Sequence, residues 1–148
     1  NLGTGGAVNR AYQLVETDKF YVMNVDDIVF YDPRRLFEIA DRGASVLLAR
    51  PRLPFGKMTL RDGEDLVTGF DERPILDIWT NAGHYVFSKE VVAKYFPSEG
   101  DLESNALRKI IKANGLRGLK YPGDWFTLNS MKDLARVEEY FKKQKRSS

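Results

Sequence analysis

Cysteine is absent from the 148-residue chain, and histidine occurs once. The first absence excludes disulfides and thiolate metal centres, and it agrees with a cytoplasmic setting. No apolar run approaches the ~20 residues that cross a bilayer as a helix, so no membrane partner is expected. The opening residues do not read as a secretory signal. A dominant charge of one sign is also missing: the net charge is +2, although 30% of the residues are charged. Nucleic acid, which asks for a basic field, is therefore not an expected partner. The late cluster Lys142-Lys143-Gln144-Lys145-Arg146 reads as a solvated tail. What is present is a hydrophobic fraction of 43%, enough for the core of a single domain over residues 1–148.

The stretch Phe20-Tyr21-Val22-Met23-Asn24-Val25-Asp26-Asp27 begins apolar and ends in an amide and two carboxylates. A run this short and rich in β-formers reads as a buried strand. Carboxylates at its carboxyl end sit where open α/β sheets bind ligands, yet they are equally ordinary turn residues.

Around this strand, helices and strands alternate. Leu2 to Gly6 reads as a glycine-rich loop and Ala7 to Glu16 as a helix. Asp32 and Pro33 supply a cap and a first-turn proline for a helix that Gly43 stops. Strands are expected over Ala44 to Arg50, Thr80 to Phe87, Leu116 to Tyr121 and Trp125 to Leu128. Asp62-Gly63 marks a hairpin between Lys57–Leu60 and Leu66–Phe70. Ser88 caps a short helix, Asp101 starts another that ends at Asn114-Gly115, and Ser130 with Asp133 opens the last. The class is α/β with a mixed, mostly parallel sheet flanked by helices; the hairpin is an antiparallel insertion.

Gly3, Gly5 and Gly6 permit close approach of a backbone to a ligand, or serve a plain turn. They do not complete a dinucleotide fingerprint, because Val8 stands at its last position and no strand precedes them. Asp26 is a hard oxygen ligand suited to Mg²⁺, which needs a second oxygen ligand elsewhere. Asn129, at a strand end before a helix, is a candidate and equally a capping amide. Glu72 and Asn81, the latter near Gly83, could converge on a hydroxyl-rich ligand or be loop polar residues. His84 falls mid-strand and is assigned no catalysis.

The order of these pieces says more than any one of them. Leu2-Gly3-Thr4-Gly5-Gly6-Ala7 is followed by Asn24-Val25-Asp26, Phe55-Gly56 and Phe70-Asp71-Glu72-Arg73-Pro74. Then come Asn81-Ala82-Gly83, Asp101-Leu102-Glu103 and Trp125-Phe126-Thr127-Leu128-Asn129-Ser130-Met131-Lys132-Asp133-Leu134. Over nearly the whole chain this series resembles the sugar-1-phosphate nucleotidyltransferases. The resemblance implies a Rossmann-like nucleotidyltransferase fold of the GT-A-like type, lacking its first βαβ portion. It implies transfer of a nucleotidyl group from a nucleoside triphosphate to a sugar 1-phosphate, with pyrophosphate leaving and Mg²⁺ as cofactor. Asp26 and Asn129 would hold the metal, with Asp26 and Arg73 as the catalytic residues and Arg73 facing the sugar phosphate. Leu2, Gly3, Thr4 and Gly5 would lie against the nucleotide. Glu72 and Asn81 would bind sugar hydroxyls, with backbone contacts from Gly56 and Gly83. Asp27, at a position variable in the family, would face solvent or support Asp26 without touching the metal.

Three residues depart from the family pattern. Val25 replaces a common glycine, Arg73 stands where lysine is usual, and Asn129 is neutral where many relatives carry an acid. The family's triphosphate-gripping loop is not in this chain. Roughly 70–90 further residues upstream are expected, about one βαβ half, and the 148 residues alone are expected to be inactive. Within the family the opening loop leans to mannose- or glucose-type sugar phosphates. A phosphocholine-type cytidylyltransferase remains open, with Trp79, Tyr85 and Trp125 as a choline cage. So does a non-catalytic regulatory subunit of the same fold. Self-association is left open.

Overall fold

The computed structural model describes residues 2–146, with side chains to residue 143. Five helices and eight strands are ordered in the chain as α1 (Gly3–Ala11), β1 (Lys19–Met23), β2 (Asp27–Val29), α2 (Arg34–Ile39), β3 (Ala44–Ala49), β4 (Lys57–Leu60), β5 (Val67–Asp71), β6 (Thr80–Ser88), α3 (Lys89–Tyr95), α4 (Arg108–Lys112), β7 (Leu116–Lys120), β8 (Trp125–Thr127) and α5 (Met131–Arg146). A π-helical segment, Leu102–Leu107, leads directly into α4.

The central sheet has the order β1-β6-β3-β7. Side chains alternate across it, as strand pleating requires. Val46, Tyr85 and Phe87 face one core cluster, built with Val92, Leu102, Ala106 and Ile110 of the α3 to α4 region. Leu47, Ala49 and Val86 face the other, built with Leu36 and Ala40 at α2. The chain is thus a three-layer α/β arrangement, as its alternation of elements implied.

The balance of strand directions differs from expectation. Only the β3–β7 ladder is parallel; β1–β6 and β3–β6 are antiparallel. Strands β1, β3 and β7 run one way, and β6 is the reversed strand inserted between β1 and β3. The cause lies in the connection: no helix crosses over between β3 and β6, so the chain returns through the β4–β5 hairpin.

The opening segment also differs. Gly3 to Gly6 are helical, in the first turn of α1, rather than a loop. A Cβ on Gly6 would lie 2.6 Å from the Ser98 carbonyl oxygen, and one on Gly5 would lie 3.0 Å from that of Gly100. These glycines let α1 press against the 97–102 segment, where Gly6 N–H donates to Gly100 (3.1 Å) and Gly100 N–H to Leu2 (2.8 Å). Thr4 accepts from the Leu102 amide at 2.8 Å and so supplies the cap that Asp101 does not give the π-helical segment.

Other local expectations hold. Asp32 accepts from the Arg34 amide at 3.0 Å, and Ser88 caps α3 through Val91 at 3.2 Å. Ser130 accepts from the Asp133 amide at 3.3 Å. Along α5, Val137 is buried, and Tyr140 stacks on Phe30 with ring centroids 5.7 Å apart. Of the basic cluster expected to be a solvated tail, Lys142 and Lys143 are exposed; the side chains of 144–146 lie outside the described residues.

Candidate functional site

The strand directions place the carboxyl ends of β1, β3 and β7 and the amino end of β6 at one edge of the sheet. Asp26, Asn81, Gly83 and Asn129 lie at that edge. β1 stops at Met23, and Asn24 to Asp26 form a turn from which Asp27 opens β2. β2 pairs with β8, with Asp27 opposite Thr127. One step further out, the Leu128 amide donates to the Asp26 carbonyl at 2.8 Å. This ladder brings the turn carrying Asp26 beside Asn129, the residue that follows Leu128.

Asp26 is half-buried and Asn129 exposed. Neither side chain makes a hydrogen bond or ion pair with another described residue. A carboxylate and an amide oxygen, neither paired with another described side chain, are donors of the hard type that Mg²⁺ takes alongside water and phosphate. Among the described residues no cluster of three or more His, Cys, Asp or Glu accompanies them.

Asn129 also lines a cleft of about 390 Å³, together with Arg73, Arg52, Trp125, Thr127 and Arg136. Arg73 has a φ of 55°, in the left-handed region that L residues rarely adopt. Its Nε is buried and has no hydrogen-bond partner. Arg52 and Arg136, by contrast, are paired with Asp124 (3.4 Å) and Asp133 (3.1 Å). Asp133 is held below the usual carboxylate range, first by the Ser130 hydroxyl and then by Arg136. A hollow of similar size, about 410 Å³, lies at the opposite end of the sheet near Lys19, Gly43 and Gly115, and carries none of the motif residues.

Asp27 is buried, at 6% exposure. Its Oδ1 accepts from Trp125 Nε1 (2.9 Å) and Thr127 Oγ1 (3.0 Å), and its Oδ2 accepts from Asn24 Nδ2 (3.1 Å). Its carbonyl pairs with His84 Nε2 at 3.2 Å. Of the two expectations for Asp27, the solvent-facing one is corrected: three chain segments, the turn at Asn24, β6 and β8, converge on it. Nothing in the local sequence distinguishes it from Asp26, because two of its three side-chain donors, Trp125 and Thr127, lie 98 and 100 residues away.

Gly83 explains itself at the same point. Its φ is 74°, and a Cβ there would fall 2.1 Å from Asp27 Oδ2. Its amide donates to Asn81 Oδ1 at 3.0 Å, and its carbonyl accepts from Asn24 N–H at 2.8 Å. Both backbone groups are therefore engaged within the chain, where a sugar contact had been expected.

Asn81 in turn donates to the Tyr85 hydroxyl, which reaches Glu103 Oε1 at 3.5 Å. Burial pushes the Tyr85 phenol up to about 12. Sequence reading did not assign Glu103; its place in a π-helical segment, a distortion frequent at functional sites, marks it only once the backbone is seen. His84 is buried and bonded through Nδ1 to the Tyr21 hydroxyl, which Tyr31 also meets at 3.2 Å. Burial pushes His84 below its ordinary value, and the histidine serves the fold, as expected.

The remaining expected residues stand apart. Glu72 and Gly56 are exposed near the β4–β5 hairpin; the Phe70 ring covers Gly56, whose Cβ would meet it at 2.2 Å. Neither lines the Arg73 cleft. Leu2, Gly3, Thr4 and Gly5 lie at the start of α1 against the 97–102 segment. The three aromatics of the choline cage do not assemble. Trp79 lies under Arg50 and Lys120, Tyr85 belongs to one core cluster, and Trp125 packs on the other.

The geometry agrees with what the chain is similar to. No family model matches it. Mannose-1-phosphate guanylyltransferase 1 of Arabidopsis thaliana is 27% identical over 142 residues, covering 89% of this chain and 39% of that protein. Bifunctional protein GlmU of Methanocaldococcus jannaschii is 30% identical over 145 residues, covering 93% and 35%. The chain is similar in sequence to proteins that include a sugar-1-phosphate nucleotidyltransferase. Among solved structures, HddC of Yersinia pseudotuberculosis superposes with a TM-score of 0.67 at 22% identity, over 95% of this chain and 63% of that one. A putative glucose-1-phosphate thymidylyltransferase of Bacillus anthracis superposes at 0.66 and 21%, over 93% and 60%. At such identities the likeness shows the fold, the GT-A-like nucleotidyltransferase fold. The chain spans 35% and 39% of the length of the two curated relatives. No described helix is long and apolar enough to cross a membrane.

Proposed function

We propose that the protein carrying this chain transfers a nucleotidyl group from a nucleoside triphosphate to a sugar 1-phosphate. An oxygen of the sugar phosphate attacks the α-phosphorus, the bond to the bridging β-phosphate oxygen breaks, and pyrophosphate leaves. The observation that carries the reading is the backbone pairing that brings the Asp26 turn beside Asn129, which lines one cleft with Arg73, in a chain similar to these enzymes.

Asp26 and Asn129 are the residues assigned to Mg²⁺. The ion, when bound, would neutralise phosphate charge as it builds toward the transition state. Because Asn129 brings no charge, this protein's share of the neutralisation falls on Asp26 and Arg73. Arg73 binds and orients the sugar phosphate; its fork suits two phosphate oxygens at once, where a lysine offers one point. The unpartnered Nε and the left-handed backbone at Arg73 support this role, since strain and unmet donors persist where a ligand repays them.

Asn81 and Glu72 are assigned to sugar hydroxyls, with Gly56 as a backbone contact, and Asn81 is already oriented by Tyr85. The start of α1, from Leu2 to Thr4, is assigned to the nucleotide, with Gly5 holding it in place. In support, one of the structural neighbours is the same HddC protein complexed with GMP-PN. A cytoplasmic setting and self-association remain part of the reading.

The test is a pyrophosphate-release screen on the native protein, crossing four nucleoside triphosphates with several sugar 1-phosphates and with phosphocholine. Release with at least one sugar 1-phosphate is expected. Release with phosphocholine alone would move the protein to the cytidylyltransferase reading, and none at all would favour the regulatory one.

A further inference from the structure

The reading above leaves a deficit at the cation site: a divalent ion facing one carboxylate and one neutral amide. We propose that Asp27 supplies the missing negative charge, as a positioning residue that does not itself touch the ion. This inference rests on the assignment of the ion to Asp26 and Asn129.

The ligand role is closed to Asp27 by its own hydrogen bonds. Trp125 and Thr127 occupy one carboxylate oxygen, Asn24 occupies the other, and the Cα of Gly83 packs against the latter. All four contacts are to neutral groups. None of the ion pairs among the described residues includes Asp27, so no described cationic side chain pairs with its charge. His84, a titratable group, touches the Asp27 carbonyl and is pushed toward its neutral form by burial. A buried carboxylate without a countercharge is costly unless something outside the protein compensates it. The residue next to it in the chain is the free carboxylate Asp26, and the β8 residues that hold it lead within two positions to Asn129.

The same hydrogen bonds position the two ligands. Asn24 ties Asp27 to the turn that carries Asp26, and Trp125 and Thr127 tie it to the strand that ends at Asn129. Asp27 therefore joins the two halves of the site and adds a field that attracts a cation to the gap between them. Charge and hydrogen bonding are separable here. Asp27→Asn removes the charge but keeps every bond, because its amide nitrogen can donate to an Asn24 side chain flipped by half a turn. Exchanging the pair, Asn24→Asp with Asp27→Asn, returns the charge to within one side chain of its original place.

The experiment is titration of the full chain with Mn²⁺ alone, followed by electron paramagnetic resonance of the free ion, for the wild type and four variants. Thermal midpoints of each variant are measured alongside. Asp26→Ala and Asn129→Ala are expected to abolish or strongly weaken the site. Asp27→Asn is expected to weaken Mn²⁺ binding about 10-fold with its thermal midpoint retained, in the range seen for groups that support metal ligands from behind. The exchanged pair is expected to recover binding to within about three-fold. Unchanged binding in Asp27→Asn, or no recovery in the exchanged pair, would overturn the proposal while leaving the cation site standing. Unchanged binding in Asp26→Ala would overturn the site assignment and the proposal together.

Discussion

Arg73 is held in a backbone conformation that costs about 1–3 kcal/mol for a residue with a side chain, at a φ of 55°. Replacing it with glycine separates that cost from its chemistry. Arg73→Gly is expected to leave the urea midpoint unchanged or raised, while pyrophosphate release falls about 100-fold, as when one charge-stabilising donor is lost. Loss of stability and activity in parallel would make Arg73 a structural residue. His84 carries a different expectation. Burial lowers its folded-state value below the unfolded one, so the unfolded chain binds the extra proton. Its contribution is full above the unfolded value near pH 6.5 and is lost as pH falls below it. In urea titrations, the stability lost between pH 7.5 and pH 5.5 should therefore be smaller in His84→Gln than in the wild type. Both residues were named from sequence, but only the first by its function. For Asp27, solvent and a supporting role beside Asp26 were both left open, since a carboxylate's partners across a sheet leave no local pattern.

At the scale of elements, the turn between β1 and β2 depends on the bend in β6 at Gly83. Gly83→Ala combines a left-handed φ of 74° with a Cβ placed 2.1 Å from Asp27 Oδ2. It is expected to cost about 2–4 kcal/mol, as strain and a displaced buried carboxylate act together, readable in the urea midpoint. Gly6→Ala, with its Cβ 2.6 Å from the Ser98 oxygen, is expected to cost about 1–3 kcal/mol by forcing α1 from the 97–102 segment. The strands other than β2, the hairpin at Asp62-Gly63 and the caps at Asp32, Ser88 and Ser130 were legible because their signals are local. The glycines of α1 misled for the same reason. A glycine needed for close approach looks alike whether the neighbour is a ligand or the protein's own backbone. Which one it is depends on residue 98, more than ninety positions away. The pairing of β2 with β8, which brings the Asp26 turn to Asn129, was likewise beyond local reading; ligand chemistry and the family resemblance joined those two residues.

For the molecule as a whole, two apolar layers flank one sheet whose ligand-facing edge is set by strand direction. Leu47 and Ile110 are both fully buried, in different clusters. Truncating either to alanine is expected to cost about 2–5 kcal/mol. The double variant should approach the sum to within about 0.5 kcal/mol, since the two share no cluster. The α/β class was readable from the alternation of elements. The reversed β6 was not, because nothing in its composition records which way it runs. That direction nevertheless puts Asn81 and Gly83 at the same edge as Asp26. The central claim is that this edge is the metal-dependent half of a nucleotidyl-transfer site. It is tested most directly by pyrophosphate release from the native protein, with wild type and Asp26→Ala compared across nucleoside triphosphate and sugar 1-phosphate pairs. The account predicts release that requires Mg²⁺, stops on chelation and falls at least about 100-fold in Asp26→Ala. Release that is equal in the two proteins, or absent from the wild type in every pair, would contradict it.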